Sequence, residues 1–203
     1  MRSDGSKRQH ILVGATAIFS RYGYARTTMG DIAAEAGMSR PALYLLFPDK
    51  EALFTAVIRH MDEEKQAEIR SGLKRYKGLH AKLLYACQTW GSHGFDLAAV
   101  YPDAADLFDL RFAAVKELYA NFEAFVVELI SEQVRTSGIE ATAEELARAL
   151  AYGMRGLRVT AASGQDMRRL IAVQVTILMR AIGVRTSNTR QLPERAHRQP
   201  GRR

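Results

Sequence analysis

The sequence predicts an all-α chain in two parts: a small three-helix head at the N-terminal end and a larger helical body behind it. Two observations carry this prediction. Apolar residues recur with the 3.6-residue period of a helix in one stretch after another, and most stretches are bracketed by residues that start or stop helices. A third observation says what must hold the fold together. One cysteine (Cys87) and five scattered histidines at 10, 60, 80, 93 and 197 give neither a disulfide nor zinc-ligand spacing. With 203 residues the chain is long enough to bury a core without such staples. No metal or cofactor is expected.

The elements follow in order. Ile11, Ala15, Ile18, Phe19 and Tyr22 form one face of a first helix, and Gly23 stands where a C′ glycine closes it. Thr28 caps a second, short helix, with Asp31 three residues on as in a capping box. Ile32, Ala33 and Ala36 are its buried stripe, and Gly37 ends it. Ser39 caps a third helix whose first turn carries Pro41, where a missing N–H costs nothing. Leu43, Leu46 and Phe47 are its apolar face, and Pro48 stops it. Asp49 caps a fourth helix with the stripe Leu53, Phe54, Val57, Ile58 and Met61. Ile18, Phe19, Ile32, Leu43, Phe47, Leu53 and Phe54 suffice for a mini-core. Two short helices joined by a tight turn and braced by longer ones make a helix-turn-helix, whose second short helix enters a DNA major groove.

The run TTMGDIAAEAGMSRPALYLLFPDKEAL at 27–53 resembles the DNA-binding signature of the TetR family of bacterial transcriptional regulators. The matching region spans 11–58, about a quarter of the chain. Pro41 stands where the family often has a small residue, and Leu46 where it often has histidine. The resemblance implies a tetracycline-repressor-like chain whose third helix reads base edges while its surroundings grip phosphates. Carried over by position, Arg40, Pro41 and Ala42 lie at the groove-facing start of that helix. Arg40 reaches either a guanine edge or a phosphate. Pro41 and Ala42 offer apolar surface suited to a thymine methyl, although Ala42 fits simple helix packing equally well. Tyr44, one residue past the buried Leu43, is placed to meet a phosphate. Lys50, beside the free N–H groups of the fourth helix, is another candidate. Thr27, Thr28 and Arg26 complete the expected phosphate contacts, and Thr28 doubles as a cap.

Beyond the head, 62–78 is highly charged, with Gly72 and Gly78 as interruptions, and the fourth helix is expected to run into it. Further helices are expected at about 112–134, at 143–162 after the capping box Thr142/Glu145, and at 166–182, with Gly164 ending the second of these. The last helix is apolar in nearly every direction, through Leu170, Ile171, Val173, Val175, Ile177, Leu178, Met179 and Ile182. Such a helix is buried on more than one side, and the extra side most simply faces a second copy. Ala147, Ala151, Gly153 and Gly156 on the preceding helix permit close approach. The resemblance agrees, since the family forms homodimers through its last two helices. It also implies a ligand cavity in the middle helices, for which Tyr85, Trp90, His93, Phe95, Tyr101, Phe108, Phe112, Tyr119 and Phe122 are candidates, each with core packing as the alternative. A cavity so lined suits a flat or greasy molecule. Gly91 and Gly94 are expected to bend or open their helix, and Cys87 is read as a buried structural thiol rather than a redox sensor.

Charge distribution supports the reading. Residues 1–60 carry 8 Lys/Arg against 5 Asp/Glu, residues 61–179 carry 14 against 16, and residues 180–203 carry 7 against 1. Basic ends on a near-neutral body fit a nucleic-acid footprint. The expected division is 1–58 for the DNA-binding head, 59–183 for the regulatory and dimerisation body, and 184–203 for a basic disordered tail. The longest stretch without a charged residue, 83–95, has 13 residues, too few to span a membrane. Residues 1–7 lack the apolar run of a secretory signal, so a cytoplasmic location is expected. No catalytic triad, phosphate-cradling loop or metal cluster stands out, so no enzymatic activity is expected. The chain is thus expected to act as a repressor that binds a palindromic double-stranded DNA operator as a homodimer and is released by a small-molecule effector. The competing possibility is a sequence-tolerant architectural DNA-binding protein.

Overall fold

The computed structural model describes residues 2–184, and these form eight α-helices and one 3₁₀ turn. The expected basic tail falls almost wholly outside the described residues. The head holds α1 (Arg2–Arg26), α2 (Met29–Glu35) and α3 (Arg40–Tyr44), with the start of α4 (Lys50–Leu73). The body comprises the rest of α4, α5 (Leu79–Val100), the 3₁₀ turn Pro102–Phe108, α6 (Ala113–Ser137), α7 (Ala143–Thr160) and α8 (Gly164–Ala181). Because α4 runs unbroken through position 58, the expected boundary between head and body lies inside a helix rather than in a linker.

Local signals account for most boundaries. Gly23 sits at φ 70°, a conformation that a Cβ disfavours, and it redirects the chain before Arg26. The Thr28 hydroxyl accepts from the Asp31 N–H while the Asp31 carboxylate accepts from the Thr28 N–H at 2.9 Å. The Thr28 hydroxyl, which also donates to the Asp31 carboxylate at 2.7 Å, and then the Thr28 N–H hold the Asp31 carboxyl below its ordinary pKa. Gly37 at φ 62° makes the tight turn, Ser39 caps α3 through the Ala42 N–H, and Asp49 caps α4 through the Ala52 N–H. Thr142 and Glu145 form the reciprocal box that opens α7.

Three expectations are corrected. Gly164 begins α8 instead of ending α7, because Ser163 caps the new helix. Gly72 lies within α4 instead of interrupting it. Gly91 and Gly94 do not open α5, which is continuous across them. Both are buried where neighbours press close: a Cβ on Gly91 would lie 2.9 Å from the Met154 sulfur, and one on Gly94 would lie 2.8 Å from an Arg158 nitrogen.

One apolar core runs through head and body, and its joint is aromatic. Phe54 on α4 packs against Phe19 and Tyr24 of α1, at ring separations of 5.2 and 4.8 Å, and against Phe112 at the start of α6, at 4.6 Å. An ion pair from Arg26 to Asp103 in the 3₁₀ turn, 2.7 Å long, closes the same junction from outside. Cys87 is fully buried, and burial pushes its thiol pKa well up, as for an unreactive core residue. Among the described residues, no helix is long and apolar enough to cross a membrane.

Candidate nucleic-acid interface and cavity

The head presents one exposed face built from α3 and the start of α2. Leu43 is buried, which turns Arg40, Pro41, Tyr44 and Leu45 outward, while Ala42 is half-covered. Arg40 lies across the N-terminus of α2: a Cβ placed on Gly30 would meet its Cδ at 3.6 Å. Thr28 is exposed beside it. A guanidinium, a phenol, a hydroxyl and free helix N–H groups therefore share one surface, the donor set that phosphate and base-edge recognition needs. Leu45, 87% exposed, is the residue that the sequence reading missed. It extends the apolar surface of Pro41, four residues back on the same face, and that spacing was the available signal.

Three expected contacts take other roles. Thr27 is buried and donates its hydroxyl to the Gly23 carbonyl at 2.6 Å, so it is a strut of the α1–α2 turn rather than an exposed donor. Arg26 is exposed but paired with Asp103. The Lys50 ammonium donates to the carbonyls of Tyr24 and Thr27, at 2.8 and 2.9 Å, and sits 4.3 Å from the centre of the Tyr24 ring. It clamps the chain between α1 and α2, which leaves it at most one free proton for a phosphate.

In the body, α4, α5, the 3₁₀ turn, α6 and α7 surround a cavity of about 40 Å³. That is room for a few waters and far below the roughly 300–1,000 Å³ of a preformed ligand pocket, so a larger guest has to spread the walls. Of the expected residues, Trp90, His93, Phe108 and Tyr119 line it. The other five do not. Phe122 is fully buried behind Trp90 in a stack at 4.2 Å, and Phe112 belongs to the head–body joint. Tyr85 stacks on Tyr76, Tyr101 borders a shallow groove beside α1, and Phe95 packs on the core. The walls are completed by Ile58, Met61, Leu107, Leu118 and Met154, and by charged groups that periodicity did not single out: Asp62, Lys65, Arg155 and Arg158.

Asp62 is only 6% exposed. One carboxylate oxygen accepts from Asn121 at 2.7 Å, while the other is buried with no hydrogen-bond partner. Burial raises its pKa, with Glu117 and Glu63 adding to the shift and the Asn121 hydrogen bond opposing it. A carboxyl whose pKa is raised by folding contributes stability below its unfolded pKa, near 3.8, and loses that contribution as pH rises through the folded value. Asp62→Asn should therefore raise neutral-pH stability by about 1 kcal/mol or more and flatten the decline above pH 3.8. Thermal melts of both proteins across pH test this; parallel pH profiles would contradict it. His93, also on the cavity wall, is driven by burial, then by Lys65, below its ordinary pKa and is neutral at neutral pH.

The comparisons with known proteins agree with this geometry. The family model described as "Bacterial regulatory proteins, tetR family" matches residues 11–57. The chain is 30% identical over 174 residues to the HTH-type transcriptional repressor Rv1474c of Mycobacterium tuberculosis, covering 83% of this chain and 89% of that one. It is 29% identical over 132 residues to the transcriptional regulator RutR of Escherichia coli, covering 63% of this chain and 60% of RutR. Among solved structures, a TetR-family regulator from Syntrophomonas wolfei superposes with a TM-score of 0.67 at 15% identity, over 91% of this chain and all (100%) of that one. FadR of Bacillus subtilis, solved in complex with stearoyl-CoA, gives 0.64 at 18%, over 84% of this chain and 96% of FadR. With the helix-turn-helix head, the all-helical body and a relative matched over most of both chains, this protein belongs to the TetR family of DNA-binding transcriptional regulators.

Proposed function

We propose that the protein is a repressor that binds a near-palindromic operator as a homodimer and is released when a small, largely apolar molecule enters the body cavity. The observation that carries this reading is α4. Its first turns hold Leu53 and Phe54 in the head core, and its next turns hold Ile58, Met61, Asp62 and Lys65 in the cavity wall. A guest that spreads a 40 Å³ cavity pushes on the helix that seats the reading head. Release then requires that the guest bind the spread conformation better than the closed one. Stearoyl-CoA sits in a fold of this kind in the Bacillus subtilis protein, so the architecture accommodates a large guest.

Homodimerisation is inferred from α7 and α8. Val159 is 83% exposed, Ile177 65% and Val173 50%, with Tyr152 exposed alongside and open space over Gly156. This apolar stripe is left uncovered by the chain's own packing, and a two-fold partner covers it with the same stripe. Of the small residues expected to admit a second copy, Ala147 and Ala151 are buried within the chain and Gly153 faces Gln174, which leaves Gly156 for that role.

On the DNA, Arg40, Pro41, Ala42 and Leu45 are assigned to base edges and Thr28, Tyr44 and the remaining Lys50 proton to phosphates. Selection of bound sequences from a random DNA pool tests the reading. A two-fold symmetric motif is the expected result; uniform recovery with steep salt dependence would favour an architectural protein instead. Arg40→Ala is expected to relax one base position per half-site, at about 1–3 kcal/mol. An unchanged motif would remove Arg40 from base reading.

A further inference from the structure

The cavity carries a positive end that its apolar lining does not explain. Arg155 and Arg158 lie one helical turn apart on α7, and both reach the wall. The Arg158 guanidinium is held in a built seat. It lies 4.5 Å from the centre of the Phe108 ring, shares the cavity wall with Tyr119, and rests on Gly94, where any Cβ would collide with it. The glycine in α5 is thus the space that admits the cation. Half-buried, Arg158 is destabilised first by loss of solvent, and the neighbouring Arg155 adds repulsion. Among the described residues, no carboxylate forms an ion pair with either arginine. Asp62, on the same wall, spends one oxygen on Asn121 and pairs with neither arginine. Two like charges at the edge of an apolar cavity, one of them fixed by packing, are costly alone and favourable around an anion, which a guanidinium fork binds in a directed way.

We propose, on the reading that this cavity is the effector site, that the effector is an amphiphilic organic anion. Its apolar body lies among Trp90, Phe108, Leu118 and Met154, and its acidic head is gripped by Arg158 with Arg155 beside it. Neutral molecules of the same shape bind more weakly, because they offer neither guanidinium a charged partner.

Trp90 is the chain's single tryptophan and lies on the cavity wall, so its fluorescence reports entry directly. Decanoate and decanol share a chain and differ in the charge of the head; decyl phosphate distinguishes a phosphate head from a carboxylate one. Naphthoate and naphthol make the corresponding flat pair, followed by calorimetry. The acid of at least one pair is expected to bind about tenfold or more tightly than its neutral partner, with an advantage that shrinks as salt rises. Arg158→Gln should erase that advantage, the ratio of acid to neutral affinity falling to about one. Arg155→Gln, at an exposed position that folding does not depend on, should reduce it. Equal binding of acid and alcohol by the wild-type protein, with Trp90 responding to both, would overturn the anion assignment while the effector cavity stands. No binding by either pair would overturn both readings. Retention of the acid's advantage in Arg155→Gln and in Arg158→Gln would place the anion elsewhere.

Discussion

Ile177→Glu is expected to yield a folded monomer that has lost sequence-specific DNA binding. Ile177 is 65% exposed on α8 and touches little of its own chain, so in a lone protomer glutamate there costs almost nothing. At a two-fold interface the same change is repeated on both partners. It buries two carboxylates against the apolar Val159 and Val173 stripe, and each loses its solvent there. The dimer dissociates, and the second reading head no longer benefits from being tethered to the first. The lost effective concentration corresponds to roughly 10²–10⁴-fold in operator affinity. Light scattering after size separation reads the mass, circular dichroism the helicity, and a binding titration the DNA affinity. Halved mass with unchanged helicity is the expected combination. A variant that remains dimeric would remove this face of α8 from the interface.

What the sequence disclosed and what it hid divide along the range of the interactions involved. Thr28–Asp31, Ser39, Asp49 and Thr142–Glu145 announce helix starts because the partners in each cap lie three residues apart. The reading face was legible for the same reason: once Leu43 is inward, helical geometry turns Arg40 and Tyr44 outward. The cavity was only half legible. Trp90 and Phe122 look alike in composition and periodicity, yet one lines the cavity and the other is packed behind it, a choice made by α6 and α7 together. The 3₁₀ turn Pro102–Phe108 has no helical period to betray it, although it delivers Phe108 to the wall and Asp103 to Arg26. Lys50 looked free because its acceptors, the carbonyls of Tyr24 and Thr27, are backbone atoms of a distant turn. Gly91 and Gly94, three apart on α5, and Arg155 and Arg158, three apart on α7, were in plain view. The glycines read as faults in α5 and the arginines as a solvated face until α7 is set beside α5, where Met154 sits against Gly91 and Arg158 against Gly94.

Phe54→Ala is expected to be the most damaging single core truncation at the joint between head and body. The ring has no exposed surface and touches Phe19, Tyr24 and Phe112, so removing it opens a void bounded by three elements that cannot collapse together without tilting the head. Truncations of this kind cost about 3–5 kcal/mol, a large part of the roughly 5–15 kcal/mol that holds a domain folded. For a chain of this length the melting temperature should fall by roughly 10 °C. Operator affinity should fall with it, because a loosened α1–α4 contact leaves α3 without a fixed seat. Phe54→Leu refills most of the volume and should cost about 1.5 kcal/mol or less. That milder variant isolates the second role of the ring. Phe54 and the cavity residues Ile58 and Met61 lie on consecutive turns of α4, so a side chain that keeps the head folded but slides against Phe112 should weaken the effector's influence on DNA more than it weakens either binding event alone. A Phe54→Leu protein in which effector and operator remain as strongly antagonistic as in the wild type would locate the coupling elsewhere, in the Arg26–Asp103 pair that spans the same junction.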